Sequence, residues 1–360
     1  MKRMRQFIIP LRFGAVLLLA QTGLFCSHEV NPAPHNGLRW AIRMAESMMN
    51  RKNSVYQEWD DGTGAVLRGF EEQWLITGDR KYLEFIQRRM DLVLKQDRAI
   101  QNHKDRIDEG RVLLFLYEET EKEKYRRAAE FIHGELNDQA RDSVSESWNK
   151  TLYLGAPFYA EYGKLFDEPG NFDDVVSQFV VAEEQARDPE PGLSHSGRDL
   201  TLGWYATALV DVLDQIPSHH PGRRTLLAIL RDVAKSLKKT QDSQTRVWHA
   251  IPDQQGNVLG ASATSLFVYA LAKAVRKGYI ELTYQDMTAL AYKGMIENFI
   301  SVNSDGTVGL NQIRKTAAYA YGMHSSDQMG AHAKDRIRND RERIGLFIAA
   351  SVELHKLDQS

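Results

Sequence analysis

The sequence predicts an all-α protein folded as an (α/α)6 barrel, a closed toroid of six helical hairpins, and three observations predict it. Helical periodicity dominates from about residue 38 almost to the end of the chain, with little strand-like alternation. A helix-turn-helix unit recurs: an apolar helix ends at Thr77-Gly78-Asp79 and Lys81-Tyr82 opens the next helix, and the same order returns at Thr120 and Lys124-Tyr125. The two threonines stand 43 residues apart, the length of one such unit. Finally, helices rich in Ala, Gly and Leu alternate with amphipathic ones. Hairpins that each bury one face need neighbours on both sides, and a closed ring supplies them without capping repeats. An open helical solenoid is the alternative.

The elements follow in order. Leu38–Arg51 is the opening helix. The apolar helices run from Leu67 and from Val112, then over Leu152–Phe166, Trp204–Ile216, Ser262–Val275 and Ile344–Leu354. Amphipathic partners begin at the Lys-Tyr pairs and continue at Phe172–Arg187, Arg224–Lys238 and Tyr284–Phe299. Small residues mark the expected start of nearly every apolar helix: Gly69, Gly110, Gly155-Ala156, Gly203, Ala261-Ser262-Ala263 and Gly345. Just before most of them stand polar or aromatic residues. These are Trp59-Asp60-Asp61, Asp105, Trp148-Asn149-Lys150, His195 with Arg198-Asp199, and Asn339-Asp340. In a toroid these loops converge on one mouth, where helix N-termini add positive potential that suits an anionic or hydroxyl-rich ligand.

Composition narrows the function. The chain has 360 residues, 42% of them hydrophobic, and a formal charge of −2. Lys2, Arg3, Arg5 and Arg12 lie in an expected leader, and without them the balance falls to about −6. A nucleic-acid binder should carry a basic face instead. Residues 1–26 read as an export signal: a basic start, then Phe13-Gly14-Ala15-Val16-Leu17-Leu18-Leu19-Ala20, closing at Leu24-Phe25-Cys26. The apolar run is too short for a membrane-spanning helix. Cys26 is the single cysteine, so no intramolecular disulfide forms. Its place suggests a lipoprotein cysteine, anchored to a membrane by acylation; the alternative is a chance cysteine in an ordinary cleaved signal. The expected organisation is a signal peptide over 1–26, a short linker over 27–37 and one barrel domain over 38–360. The expected location is the periplasm or outer membrane, or else the secreted fraction.

The motifs then carry a resemblance. Arg43-Met44-Ala45-Glu46-Ser47-Met48-Met49, Trp59 and Gly64-Ala65-Val66-Leu67-Arg68-Gly69 come first, followed by Asp105-Arg106-Ile107 with Gly110-Arg111-Val112. Leu152-Tyr153-Leu154-Gly155-Ala156-Pro157-Phe158 and Gly203-Trp204-Tyr205-Ala206-Thr207-Ala208-Leu209 continue the series, and Phe267-Val268-Tyr269-Ala270-Leu271 closes it. In this order they resemble glycoside hydrolase family 105 and its family 88 relatives, the unsaturated rhamnogalacturonyl and glucuronyl hydrolases, over about residues 40–355. The resemblance implies a six-hairpin toroid and no cofactor. The implied partner is an oligosaccharide with a 4,5-unsaturated uronic acid at its non-reducing end. It also implies a mechanism in which an aspartic acid protonates the double bond and water adds at C5. That needs a carboxyl held protonated in a dry pocket.

The chain departs from that pattern in places. The family's acid stands in Trp-Leu-Asp-Gly-Leu-Tyr, where this chain reads Trp148-Asn149-Lys150-Thr151-Leu152-Tyr153. Either Lys150 replaces the aspartate, or the acid-bearing stretch is deleted; both leave the carboxyl absent. Asp61 stands where a tyrosine is expected, Gly260 where a glutamate is, and Asp199-Leu200-Thr201-Leu202 follows a shortened loop. Asp105 matches the family's second active-site carboxylate; its other reading is an acid stabilising a helix N-terminus. With His195 it forms the candidate catalytic pair, and His195 reads otherwise as an ordinary loop histidine. Trp59, Asp61, Trp148, Lys150, Arg198, Asp199 and Trp204 are the candidate sugar-binding residues, the tryptophans by stacking on pyranose faces. No metal site is expected: His219-His220-Pro221 reads as an inter-helix turn, and Asn303-Ser304-Asp305-Gly306 as a plain turn. Two functions stay open, a hydrolase of unsaturated uronides and a pseudoenzyme or binding module that kept the fold and lost the acid.

Mass spectrometry of the natively expressed protein is expected to find no residue before Cys26 and a lipid mass on it. An intact Met1 contradicts export; a bare Cys26 contradicts lipidation alone.

Overall fold

The computed structural model describes residues 36–50, 63–95, 107–142, 151–186, 199–249, 259–311 and 341–360. The helices among them are, in chain order, α1 (Gly37–Met49), α2 (Thr63–Thr77), α3 (Arg80–Lys95), α4 (Ile107–Thr120), α5 (Glu123–Asp142) and α6 (Ala156–Leu165). Then come α7 (Gly170–Ala186), α8 (Asp199–Gln215), α9 (Arg223–Thr240), α10 (Ala261–Arg276), α11 (Gln285–Phe299) and α12 (Arg341–Asp358). A π-helical turn, Thr151–Gly155, leads into α6. The even-numbered helices form an inner ring in which each packs on the next, and α12 packs along α2 to close it. The odd-numbered helices form the outer layer. The expected toroid is therefore the observed one, closed rather than open.

The two layers follow from two patterns of side chains. Helix α9 buries Leu226, Leu230, Val233, Ala234 and Leu237, a single stripe at helical spacing, and turns Lys and Arg to solvent. Helix α10 is buried almost all round from Ala263 to Val275, because an outer helix, two inner neighbours and the lumen surround it.

The 43-residue repeat has a physical basis. At the end of α2, Thr77 Oγ1 donates to the Gln73 carbonyl and Gly78, at φ +66°, donates its N–H to the Trp74 carbonyl. At the end of α4, Thr120 Oγ1 donates to the Leu116 carbonyl and Glu121, at φ +53°, donates to the Tyr117 carbonyl. Both satisfy the last carbonyls of a helix through a left-handed residue. The Lys-Tyr pairs then tie each outer helix to the one before it. Lys81 reaches Glu46 on α1 at 3.0 Å, whereas Lys124 and Tyr125 both donate to Asp91 on α3.

Two expectations need correction. Most of the small residues expected to start the inner helices lie one or two turns inside them, since the helices begin at Thr63, Ile107, Asp199 and Arg341. Their role is close packing. A Cβ on Gly110 would stand 2.7 Å from the Phe158 ring, and one on Gly203 2.8 Å from Leu266. The second correction is a small antiparallel hairpin, β1 (Ile300–Val302) and β2 (Val308–Leu310), where no strand was expected. The segment Asn303-Ser304-Asp305-Gly306 is its turn: Asp305 Oδ1 accepts from Thr307 N and Gly306 takes φ +82°. The hairpin is fixed to α1, as Arg43 donates to the Gly306 carbonyl and Val308 N to Ser47 Oγ.

Closure of the ring depends on Gly345. A Cβ there would lie 2.2 Å from the Ala65 carbonyl oxygen, so the α2 and α12 backbones touch at this point. Gly345→Ala is expected to push the two helices apart and destabilise the protein by about 3 kcal/mol. Gly134→Ala, on an exposed face of α5 with nothing within 4 Å, should instead stabilise it by about 0.5–1 kcal/mol. Urea unfolding of the two variants checks both; equal shifts contradict the close approach.

Candidate active site

Alternating hairpins point every inner helix the same way, so the N-terminal halves of all six converge on one face. Arg68, Arg111, Pro157, Trp204, Tyr269 and Leu346, one from each inner helix, line a cup there together with Tyr153 of the π turn. Trp204 and Tyr153 are partly exposed and give the cup aromatic walls. The Thr207 hydroxyl, one turn below Trp204, is buried among the described residues with no hydrogen-bond partner.

The floor is ionic. Asp211 on α8, 2% exposed, accepts from Tyr269 Oη at 2.7 Å, Lys273 Nζ at 2.6 Å and Arg111 Nη1 at 2.6 Å. Arg111 also grips Glu161 of α6 through Nε and Nη2. Lys273 reaches Asp214 at 3.0 Å. On the other side of the lumen, Lys356 of α12 donates to Glu72 of α2 and to Glu353, which Arg276 of α10 also holds. Burial opposes the charge on Asp211, but Lys273, Arg111 and Arg68 outweigh it and hold the carboxyl well below the usual range. Burial likewise opposes the charge on Glu72, and Lys356 and Arg68 still lower its pKa. Both carboxylates of the cup's described lining stay ionised, so neither supplies a proton near neutral pH.

Beneath this floor a second cavity of about 570 Å³ opens toward the C-terminal ends of the inner helices. Glu71, Glu118, Asp214, Lys164, Arg276 and Lys356 are among its walls. Arg68, Glu72 and Arg111 line both spaces and form the septum between them.

Of the residues singled out from the sequence, Trp204 lines the cup. Asp199 is the first residue of α8, at the cup's face of the ring. Asp105, His195, Trp59, Asp61, Trp148, Lys150, Arg198 and Cys26 lie outside the described residues. His220 sits in the turn between α8 and α9, where Nδ1 accepts from Gly222 N and Nε2 lies 3.2 Å from Asp173. The reading of the sequence missed Arg68, Arg111, Asp211, Tyr269 and Lys273. Each is a polar residue on a largely buried inner helix, and that was the available signal.

The chain matches the family model described as Glycosyl Hydrolase Family 88 over residues 40–358. It is 24% identical over 261 residues to the unsaturated rhamnogalacturonyl hydrolase YesR of Bacillus subtilis, a match covering 64% of this chain and 75% of that protein. Among solved structures it resembles a family 105 glycoside hydrolase of C. acetobutylicum, with 29% identity and a TM-score of 0.74, covering 88% of this chain and 99% of that one. It shares its fold with the unsaturated glucuronyl hydrolase of Bacillus sp. GL1 at 12% identity and a TM-score of 0.68, covering 89% and 96% of the two chains.

The septum also titrates. One oxygen of Glu71 accepts from Arg68 at 2.6 Å, and the other is buried with no partner among the described residues. Burial pushes the Glu71 carboxyl up to about 7 from its ordinary 4.5, against the pull of Arg68 and with a further push from Glu161. An acid whose pKa is raised by folding holds its proton longer in the folded state. Stability is therefore lost as pH rises from 4.5 to 7, by about 3 kcal/mol at most. Glu71→Gln is expected to abolish that loss. His133, pushed down by burial between Tyr159 and Tyr162, acts in the opposite sense but is common to both proteins. Urea midpoints at pH 5 and pH 8 test this: wild type should weaken relative to Glu71→Gln, and parallel curves contradict the assignment.

Proposed function

The chain belongs to Glycosyl Hydrolase Family 88, and on that premise we propose that it hydrolyses oligosaccharides ending in a 4,5-unsaturated uronic acid. The observation that carries this reading is the cup itself. Six helix N-termini and the Arg68–Arg111 floor favour an anion, while Trp204 and Tyr153 offer flat apolar faces to a pyranose. YesR bears the name of an unsaturated rhamnogalacturonyl hydrolase, which supports a pectin-derived substrate. The leader at 1–26 fits an exported protein that meets the products of polysaccharide lyases outside the cytoplasm.

The chemistry is a hydration. A carboxylic acid gives its proton to C4, the ring oxygen stabilises the positive charge left at C5, and water adds there and returns a proton. The resulting hemiketal collapses and releases the neighbouring sugar. Asp211 and Glu72 are held ionised, so we look for the acid outside the cup's described lining. Asp105, which precedes the first residue of α4 by two positions, is our choice, with His195 as its candidate catalytic partner. Lys150 would favour the ionised form of a nearby acid and so oppose this role, or else anchor the substrate carboxylate. Because the sequence resemblance puts the family's acid where this chain reads Trp148-Asn149-Lys150, a second reading stands beside the first: a pseudoenzyme that binds such sugars without turning them over.

Loss of the substrate's conjugated absorbance, followed for wild type and Asp105→Asn, tests both. The first reading expects turnover that falls by at least about 100-fold in the variant. Turnover unaffected by the substitution shifts the acid to another residue, Asp199 being the next candidate. Sugar binding with no turnover in wild type selects the pseudoenzyme.

A further inference from the structure

Arg68 differs from every other lumenal cation among the described residues. Arg111, Lys273, Arg276, Lys277 and Lys356 each reach across to a carboxylate on a different helix, and Lys164 reaches across to Gln215. These contacts join the ring and hold the cations in place. Arg68 instead makes one local contact, Nη1 to Glu71 three residues along its own helix. A guanidinium has five N–H donors, and four of those on Arg68 have no protein partner among the described residues. The side chain is 18% exposed and lines the two spaces inside the ring.

Its position explains what the unused donors are for. On α2 it stands one turn below Gly64 and Ala65 at the cup's mouth, and it lines both the cup and the rear cavity. Its one contact among the described residues is within its own helix, so turning the guanidinium toward either space breaks no contact between described helices. The contact it leaves behind is a single one, and burial favours the neutral form of Glu71.

We propose that Arg68 swings from Glu71 into the cup and binds the carboxylate of the uronic acid, making it the residue that selects acidic over neutral sugars. This rests on the reading that the cup takes a uronic acid. A planar guanidinium pairs with a carboxylate through two parallel hydrogen bonds, which gives direction as well as charge. The other guanidinium of the floor, Arg111, already spends Nε, Nη1 and Nη2 on Glu161 and Asp211. Asp211 in turn repels a second carboxylate that approaches without its own cation. An anion entering the cup therefore meets Arg68 as the available partner in the described floor.

The test compares galacturonate with its neutral counterpart galactose, titrated by NMR against wild type, Arg68→Lys, and a double variant carrying Arg68→Met and Glu71→Gln. The double variant leaves no unpaired charge behind, and thermal melting checks that it folds. Wild type should prefer galacturonate; the double variant should lose at least about tenfold in galacturonate affinity and keep its affinity for galactose. Arg68→Lys should recover part of the loss. A preference that is absent from wild type, or unchanged in the double variant, overturns the proposal. Turnover separates this from the activity. If unsaturated disaccharide is hydrated with the same KM by the double variant, Arg68 is refuted and the hydrolase stands. If no substrate is hydrated but the galacturonate preference still disappears, the hydrolase is refuted and Arg68 stands.

Discussion

The carboxylate of Asp211, held by an arginine, a lysine and a tyrosine from two other helices, is the contact on which the rest of the ring depends. Six cylinders packed in a circle leave a central gap as wide as a seventh, about 10 Å across for helices. Short apolar side chains cannot fill such a gap, and long charged ones can. The lumen is accordingly spanned by Arg, Lys and Glu. Their charges are tolerated because each is matched: Arg111 joins α4 to α6 and α8, Lys273 joins α10 to α8, and Lys356 joins α12 to α2. Buried ion pairs add little net stability over apolar packing, but removing one partner is costly, so they fix which helix faces which.

That same lattice gives the cup its floor. It separates the mouth, where helix N-termini supply positive potential, from the rear cavity, where helix C-termini meet Lys164, Arg276 and Lys356. It also divides the titratable groups by role. Asp211 and Glu72 are locked as anions and serve structure, whereas Glu71 keeps one oxygen unpaired and is free to change state. The cup above this floor takes its electrostatic field from the ring below.

The outer layer does different work. Its helices are placed by local turn chemistry, the threonine and left-handed residue that end α2 and α4 and the Lys-Tyr pairs that bind α3 to α1 and α5 to α3. These contacts lie between residues close in sequence, which is why the repeat is legible in the amino-acid order itself. The lumenal contacts join residues up to 284 apart, as in Lys356 to Glu72, and no local pattern announces them.

The sequence by itself determined the helical class, the alternation of inner and outer helices and the turn chemistry. Each of these is written in periodicity and in short-range hydrogen bonds. Trp204, read from the sequence as a candidate sugar-binding residue, lines the cup from inside α8. Tertiary structure alone decided that α12 meets α2 backbone to backbone at Gly345, that the inner-helix glycines are contact points and not helix starts, and that β1 and β2 pair. It alone decided that Arg68, Arg111, Asp211, Tyr269 and Lys273 share one floor. In the sequence these are isolated polar residues in apolar helices. Only the closure of the ring brings their charges within reach of one another, because an ion pair is set by distance in space and not by separation along the chain.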